Sequence, residues 1–273
     1  MIKVKLNNGI EMPILGLGVY NITDKEELYN TVKWAIDAGY RKFDTAQFYN
    51  NEKELGEAIR KTGIKREEVF ITTKIWNTKQ GYNSAKRSFE ESLEKLNTDY
   101  ADLVLIHWPG QKKDRYLDTY RALENIYQNQ KARAIGLSNF EIKHLKDIFA
   151  HCNIAPAVNQ IERHPNLPRN ELIDFCKHHN IIAEAWSPLG RGKLLNNKII
   201  NHIAGKYDKT AAQIILRWDI EKNISVIPKS VNKNRIEENI NIFDFELDKD
   251  DIGKINALEN GKRIGPDPSV FDF

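Results

Sequence analysis

Eight short apolar segments, each followed by a helix-like segment, are the feature that most limits how this chain can fold. The apolar residues run continuously within each segment, which is typical of parallel strands buried on both faces. The predicted strands cover residues 14–20, 41–46, 69–75, 101–108, 132–137, 157–161, 181–186 and 225–228. Ahead of them, two short strands at residues 2–6 and 10–13 flank Asn7-Asn8-Gly9, which predicts a β-hairpin.

The segments between the strands carry helix signals. Thr23 and Glu26 predict a capping box at the start of the first helix, and Thr210 with Gln213 predicts a second one. The stretch between the seventh strand and Thr210 shows no clear pattern, so we predict an irregular loop there. Helices are predicted at residues 23–38, 51–61, 84–96, 116–129, 141–149, 169–179, 210–222, 232–241 and 248–258.

The number of repeats selects the fold. Eight strand–helix repeats in a chain of 273 residues match a closed (β/α)8 barrel, which typically takes about 250 residues. A doubly wound sheet would place a glycine-rich turn after its first strand. Here Gly16 and Gly18 lie inside the strand and no third glycine follows, and no GxxxxGK[ST] phosphate loop occurs. We therefore predict an α/β fold, a (β/α)8 TIM barrel with a short N-terminal β-hairpin, in one domain over residues 1–273.

Composition and charge argue against several classes of protein. The chain is 41% apolar and 29% charged, which is ordinary for a soluble globular protein. Its net charge of +3 comes from interleaved acids and bases, so we expect no nucleic-acid partner. Cys152 and Cys176 show neither disulfide nor zinc spacing. No signal peptide and no apolar run of about 18 residues is seen, so we expect a cytoplasmic protein without membrane contact. We also expect a monomer.

Polar side chains follow most of the predicted strands, at the point where each strand ends. In barrels the active site lies at the C-terminal face, where these strand ends meet. Each residue alone has an ordinary structural explanation, such as a lysine at the rim or a satisfied core histidine. Their shared face favours a functional site. The residues concerned are Asp44, Lys74, His107, Ser138, Asn139, Gln160, Trp186, Lys229 and Ser230.

Tyr49, in the loop after Asp44, could act as an acid–base group together with three residues of this face. They are Asp44, Lys74 and His107. A tyrosine has an ordinary pKa near 10, and an ammonium at about 4 Å in an effective dielectric near 20 favours the phenolate by about 4 kcal/mol. We therefore expect Lys74 to lower the pKa of Tyr49, and Asp44 to hold Lys74 charged. His107 would orient a carbonyl oxygen toward the phenol. The remaining histidines, such as His178 and His179, lack ligand spacing, so no metal is expected.

A second group of residues suits an anion such as phosphate. Lys229 and Ser230 precede a predicted helix, and Arg235 lies in its first turn. Cations, a hydroxyl group and a helix N-terminus together form an anion site. A solvated helix start is the alternative explanation. The basic loop at residues 189–193 could cover more of a phosphate, and Trp186 could stack on an aromatic ring.

These motifs resemble the aldo-keto reductase family nearly from end to end. The tail Arg263-Ile264-Gly265-Pro266-Asp267-Pro268 also resembles that of prokaryotic members related to diketogluconate reductases. The signatures are Asp37-Ala38-Gly39-Tyr40-Arg41-Lys42-Phe43-Asp44-Thr45-Ala46, Tyr49-x-Asn51-Glu52, Thr73-Lys74-Ile75-Trp76, His107-Trp108-Pro109, Gly136-Leu137-Ser138-Asn139-Phe140, Ser187-Pro188-Leu189-Gly190 and Ile227-Pro228-Lys229-Ser230.

The resemblance implies an enzyme that reduces small aldehydes and ketones with hydride from NADPH. Tyr49 would be the general acid, Asp44 and Lys74 its tuning pair, and His107 the orienting group. Ser138, Asn139 and Gln160 would hold the carboxamide, and Lys229, Ser230 and Arg235 the 2′-phosphate. The implied cofactor contacts are Gly18, Val19, Asp44, Ser138, Asn139, Gln160, Trp186, Ser187, Leu189, Lys229, Ser230, Arg235, Glu238 and Asn239. The implied substrate contacts are Tyr20, Tyr49, Trp76, His107 and Trp108.

Two departures from the family pattern bear on these expectations. Trp186 stands where many members carry tyrosine, although either ring can stack. The segment at residues 110–114 is short and polar, which predicts an open mouth and broad substrate selection. The alternative function is an NADPH-binding regulatory subunit of the same fold with negligible turnover. A metal-dependent barrel hydrolase would need ligands that the sequence lacks.

Overall fold

A computed structural model describes residues 2–272 as a parallel eight-stranded barrel with a small hairpin at one end. The hairpin strands are β1 (Lys3–Lys5) and β2 (Glu11–Pro13). The barrel strands follow one another in sheet order as they do in the chain. They are β3 (Leu17–Gly18), β4 (Lys42–Asp44), β5 (Phe70–Ile75), β6 (Ala101–Ile106), β7 (Ala132–Ser138), β8 (Val158–Glu162), β9 (Ile182–Trp186) and β10 (Ser225–Val226).

The first and last barrel strands meet and close the sheet. Leu15 forms a parallel bridge with Val226. The amide of Gly16 donates to the Val226 carbonyl at 2.9 Å, and the Val226 amide donates to Ile14 at 2.9 Å. The predicted (β/α)8 barrel with its N-terminal hairpin is therefore confirmed. β3 and β10 are shorter than predicted, since an isolated bridge replaces a regular ladder where the barrel closes.

Helices surround the barrel, and most lie where the sequence predicts them. They are α1 (Lys25–Asp37), α2 (Glu52–Lys61), α3 (Tyr82–Leu96), α4 (Lys113–Gln128), α5 (Ile142–Phe149), α6 (Asn170–His178), α7 (Lys198–Tyr207), α8 (Ala211–Ile220), α9 (Lys233–Ile240) and α10 (Lys249–Asn256). The capping box of Thr210 and Gln213 at the start of α8 is confirmed.

Two helix predictions are wrong. α7 replaces a predicted loop; its buried residues Ile200, Ile203 and Ala204 have helical spacing, and the Asn197 side chain caps it. The capping box predicted for α1 does not form. Asp24 is the N-cap instead and accepts a hydrogen bond from the Glu27 amide at 2.7 Å. Aspartate caps helices at least as well as threonine, which explains the shift by one residue.

Gly56 lies where α2 touches the end of α3, and it leaves no room for a side chain. A Cβ atom there would lie 2.2 Å from the Leu96 carbonyl oxygen. We expect Gly56→Ala to lower the free energy of unfolding by about 1–3 kcal/mol, because the two helix backbones must move apart. Denaturant unfolding would measure this. Gly205→Ala in α7 is the matched control, since no atom beyond its chain neighbours and its own helix backbone lies within 4 Å of its Cβ position. It should be neutral or stabilising, and an equal loss in both variants would contradict the packing explanation.

Candidate active site

Asp44, Tyr49, Lys74 and His107 converge at the C-terminal end of the barrel. Asp44 ends β4, Lys74 is the second-last residue of β5, and His107 directly follows β6. The Lys74 ammonium lies 2.6 Å from Asp44 Oδ1 and 3.3 Å from the Tyr49 hydroxyl oxygen, and it also donates to the Thr45 carbonyl at 3.0 Å. The Tyr49 and His107 rings lie edge to face with centroids 5.7 Å apart. The fold thus brings a phenol, an ammonium, a carboxylate and an imidazole together.

The loop that carries Tyr49 is fixed by two amide side chains. Asn51 donates to the carbonyls of Val19 at 2.9 Å and Ile22 at 3.0 Å, so it ties the loop to the end of β3. Gln47 accepts a hydrogen bond from the Trp76 amide at 2.8 Å. Asn51 precedes α2 without capping it through its side chain. Its role in the structure is therefore to hold the loop, and the phenol is placed by a rigid segment.

Burial and the neighbouring charges set the ionisation of Asp44 and Lys74. Burial raises the pKa of the Asp44 carboxyl, and Lys74 opposes that effect. Burial alone would lower the pKa of Lys74, but Asp44 and Tyr49 outweigh it and the net direction is upward. Neither side chain is exposed by more than 2%. We therefore treat the two groups as an ion pair that stabilises both charges.

Tyr49 differs from the sequence-based expectation. Burial raises its pKa to about 12, and the opposing effect of Lys74 is smaller. The predicted lowering of this pKa is wrong, because burial of the hydroxyl group outweighs the effect of the Lys74 charge. The phenol is consequently fully protonated at neutral pH and available as a proton donor. Burial, together with Lys74, lowers the pKa of His107 well below its ordinary value, so its imidazole is neutral.

The side chains predicted for the carboxamide lie beside this group. Gln160 lies inside β8 rather than at its end, and its amide nitrogen donates to Asp44 Oδ2 at 2.7 Å. Asn139 has a left-handed backbone with φ of 65°. Its amide nitrogen donates to the His107 carbonyl at 2.9 Å and to Ser138 Oγ at 3.0 Å. Its amide oxygen accepts from Trp186 Nε1 at 2.8 Å, which fixes the indole ring.

The remaining predicted cofactor residues lie on the neighbouring loops of the same barrel end. The Gly18 amide donates to the Pro228 carbonyl at 3.1 Å, and the Val19 amide to the Asp44 carbonyl at 3.0 Å. Ser187 adopts a left-handed backbone with φ of 49°, and Leu189 is half-buried. The basic loop predicted at residues 189–193 contains a short 3₁₀ turn at Gly190–Gly192.

The predicted anion site surrounds the start of α9. Lys229 and Arg235 are exposed, and Ser230 is 8% exposed. Asn232 caps the helix by accepting from the Arg235 amide at 3.1 Å. Farther along α9, Glu238 accepts a hydrogen bond from the Thr210 hydroxyl at 2.6 Å, and Asn239 is buried. The two cations are thus free to approach an anion from solvent, whereas Glu238 is held by the neighbouring helix.

Aromatic side chains line the opening above His107. The Tyr20 ring lies 4.9 Å from the Tyr49 ring, and Trp76 lies 5.1 Å from His107. Sequence reasoning missed Phe48, which stacks on Trp76 with centroids 4.1 Å apart. It also missed Phe271, whose ring lies 4.8 Å from Trp108.

The C-terminal tail reaches this opening because Glu162 fastens it. The Glu162 carboxylate accepts the backbone amides of Ile264 and Gly265, the latter at 3.1 Å. A Cβ atom at Gly265 would lie 2.5 Å from Trp186, so the tail backbone packs directly on the indole. The short loop at residues 110–114 therefore does not leave the opening uncovered, since the tail lies beside it.

Sequence reasoning also missed two charged residues inside the barrel. Lys42 and Glu184 form a fully buried ion pair beneath Gln160. For Glu184 the available signal was a charged residue within an otherwise apolar predicted strand, whereas Lys42 lies among other polar residues at 41–46 and gave no such signal.

Two other kinds of feature are absent from residues 2–272. No group of three or more His, Cys, Asp or Glu side chains there is arranged to hold a metal ion. No helix in that range is both long enough and apolar enough to cross a membrane.

Comparisons with known proteins agree with this geometry. A sequence model of the aldo/keto reductase family matches residues 14–260. The glyoxal reductase of Bacillus subtilis (strain 168) is 51% identical over 270 residues, which cover 99% of this chain and 97% of the relative. A crystal structure of MGS-M4, an aldo-keto reductase from a Medee basin deep-sea metagenome library, superposes with a TM-score of 0.96 at 46% identity, covering 99% of this chain and 100% of the other. A Gox0644 mutant in complex with NADPH superposes with a TM-score of 0.95 at 40% identity, covering 100% and 99%.

Proposed function

Because the chain belongs to the aldo/keto reductase family, we propose that it reduces aldehydes and ketones to alcohols with NADPH, and that Tyr49 is the general acid. The observation that carries the proposal is the Lys74 ammonium, which contacts both the Asp44 carboxylate and the Tyr49 hydroxyl group beside a neutral His107. The glyoxal reductase relative suggests small dicarbonyl compounds as substrates.

The residues of the site match the needs of this reaction. When bound, NADPH would supply the hydride that adds to the carbonyl carbon. Negative charge then develops on the carbonyl oxygen, and the protonated Tyr49 hydroxyl group donates its proton to that oxygen. His107 is neutral, so it can donate one hydrogen bond to the same oxygen without competing as an acid. Lys74 stabilises the phenolate that remains, and Asp44 keeps Lys74 in place.

The residues present also fit the proposed cofactor. The Gln160 amide nitrogen already donates to the Asp44 and Glu184 carboxylates. Its amide oxygen is therefore the atom that can accept a hydrogen bond from a carboxamide. Trp186 is held by Asn139 and offers a flat ring. Lys229 and Arg235 supply exposed cations at the start of α9, which suits the additional phosphate of NADPH. We place Ser138, Ser187, Leu189, Glu238 and Asn239 among the further contacts.

The proposal is tested by mixing purified protein, glyoxal and NADPH and following the loss of nicotinamide absorbance. We expect turnover with NADPH and a KM for NADH that is at least about ten-fold higher, because NADH lacks the phosphate. Tight NADPH binding without turnover would instead support the regulatory-subunit alternative.

The cofactor site is tested in the same assay. Arg235→Ala should raise the KM for NADPH by about ten-fold and leave that for NADH unchanged, since a charge-assisted hydrogen bond contributes about 1.5–3 kcal/mol. Lys249→Ala is the matched control, because Lys249 is an exposed residue in the first turn of another eight-residue helix, α10. Equal sensitivity to NADPH and NADH in Arg235→Ala would contradict the assignment.

We further propose a single-domain monomer that acts on small carbonyl compounds in the cytoplasm, without nucleic acid or membrane. All four residues of the proposed catalytic group come from one chain. Cys152 and Cys176 are both free thiols, which suits a reducing compartment. Sedimentation in solution would measure the oligomeric state.

A further inference from the structure

A second buried ion pair lies in the barrel beneath the proposed catalytic group. Lys42 in β4 and Glu184 in β9 contact each other directly, and both side chains are fully buried. The Lys42 ammonium also donates to Ser225 Oγ at 2.6 Å and to the Pro13 carbonyl at 3.3 Å. Ser225 Oγ lies 2.8 Å from Glu184 Oε2. Each charge therefore has several fixed partners and no contact with solvent.

Gln160 connects this pair to the proposed catalytic group. Its amide nitrogen donates to Glu184 Oε1 at 2.9 Å and to Asp44 Oδ2 at 2.7 Å. Asp44 in turn contacts Lys74, which contacts Tyr49. One continuous series of polar contacts thus runs from the floor of the barrel to the phenol. Ionised carboxylates accept hydrogen bonds only, so the amide nitrogen of Gln160 faces them as long as both stay charged.

The two carboxylates share one nitrogen and are close enough to repel each other. Asp44 faces Lys74, Gln160, Tyr49 and Glu184. Glu184 faces Lys42, Gln160, Ser225 and Asp44. His107 faces Lys74. Burial raises the pKa of Asp44, and the Glu184 charge adds to that increase. Burial acts in the same direction on the pKa of Glu184, but Lys42 and the hydrogen bonds from Gln160 and Ser225 together outweigh it, and the net direction is downward. Two buried carboxylates that repel each other stay ionised most readily when each has its own cation.

We propose that Lys42 and Glu184 are positioning residues for the reduction: the Lys42 charge offsets that of Glu184, so that Asp44 stays ionised beside it, and the Glu184 carboxylate holds Gln160 in one orientation. This inference rests on the proposed carbonyl reduction. Without the Lys42 charge, Asp44 and Glu184 would share one cation, Lys74, and the two carboxylates together would bind a proton more readily. Protonated Asp44 would hold Lys74 less firmly against Tyr49. The side-chain amide of Gln160 could then flip, which would exchange its nitrogen and oxygen.

The test compares pH profiles of kcat for NADPH-dependent reduction in the intact protein. Wild type should vary less than about two-fold between pH 6 and pH 8, since Tyr49 and His107 both titrate outside that range. Lys42→Gln removes the charge and keeps a hydrogen-bond donor. Its kcat should fall about ten-fold as the pH decreases from 8 to 6, because the shared proton then occupies Asp44. The double variant Lys42→Gln/Glu184→Gln leaves one carboxylate and should recover the wild-type profile.

Three outcomes would overturn the proposal. The first is a Lys42→Gln protein that is folded by circular dichroism and shows the wild-type profile, and the second is a double variant that keeps the new pH dependence. If Lys42→Gln does not fold while the double variant folds and is fully active, the pair has only a structural role. Absence of turnover in wild type would count against the proposed function instead.

A second readout does not depend on turnover. The folded Lys42→Gln protein would bind the shared proton more tightly than its unfolded chain does. Its Tm should therefore decrease relative to wild type as the pH rises from 6 to 8, and the double variant should cancel this trend. A Tm difference that does not change with pH would show that no shared proton exists.

Discussion

Tyr49→Phe should lower kcat for carbonyl reduction by about 10²–10⁴-fold, the usual contribution of a positioned general acid. The variant removes only the hydroxyl group, which lies 3.3 Å from the Lys74 ammonium. The ring keeps its contacts with Tyr20 and His107, so the opening retains its shape. Binding of NADPH should change less than about two-fold, because the cofactor contacts that we propose lie elsewhere. Single-turnover kinetics and NADPH fluorescence would measure the two effects separately.

Tyr20→Phe is the matched control for this experiment. Its ring lies 4.9 Å from that of Tyr49, and the side chain is 39% exposed at the opening. Loss of its hydroxyl group should change kcat less than about three-fold, since no proton-transfer role is assigned to it. A Tyr49→Phe protein with wild-type kcat would show that Tyr49 is not the general acid. A large loss of kcat in Tyr20→Phe would assign that role to Tyr20 instead.

Much of the fold could be predicted because the residues of each strand show by themselves that the strand is buried. Segments such as 101–108 and 132–137 are apolar on both faces, and only a parallel sheet covered by helices explains eight of them. The same topology placed Asp44, Lys74 and His107 at one end, because parallel strands all end at the same face. The sequence did not predict α7, because its apolar residues follow a polar, asparagine-rich stretch that is typical of a loop.

The electrostatics of the site could not be read from residue types. The upward shift in the pKa of Tyr49 depends on how deeply its hydroxyl group lies, which only the folded chain determines. The Lys42–Glu184 pair joins residues 142 positions apart, and their contact requires knowledge of which side chains point into the barrel. The contact between Phe271 and Trp108 likewise depends on where Glu162 fastens the tail.

Lys74→Met should lower the free energy of unfolding by about 3–5 kcal/mol, because it leaves the buried Asp44 carboxylate without its cation. It should also lower kcat by about 10²-fold or more, since nothing then stabilises the phenolate of Tyr49. The pKa of Asp44 is already raised by burial, and loss of Lys74 raises it further. Folded protein then binds a proton more tightly than the unfolded chain, so the variant should regain stability as the pH falls through that pKa.

The double variant Lys74→Met/Asp44→Asn separates the two roles of Lys74. Replacing the carboxylate removes the unpaired charge, so we expect denaturant unfolding to show most of the lost stability restored at neutral pH. Asparagine can still accept the hydrogen bond that Gln160 donates to Asp44. Activity should stay low, because Tyr49 still lacks the ammonium that lies beside it in wild type. If the double variant regained kcat together with stability, Lys74 would act only by neutralising Asp44, and its proposed effect on the phenol would be wrong.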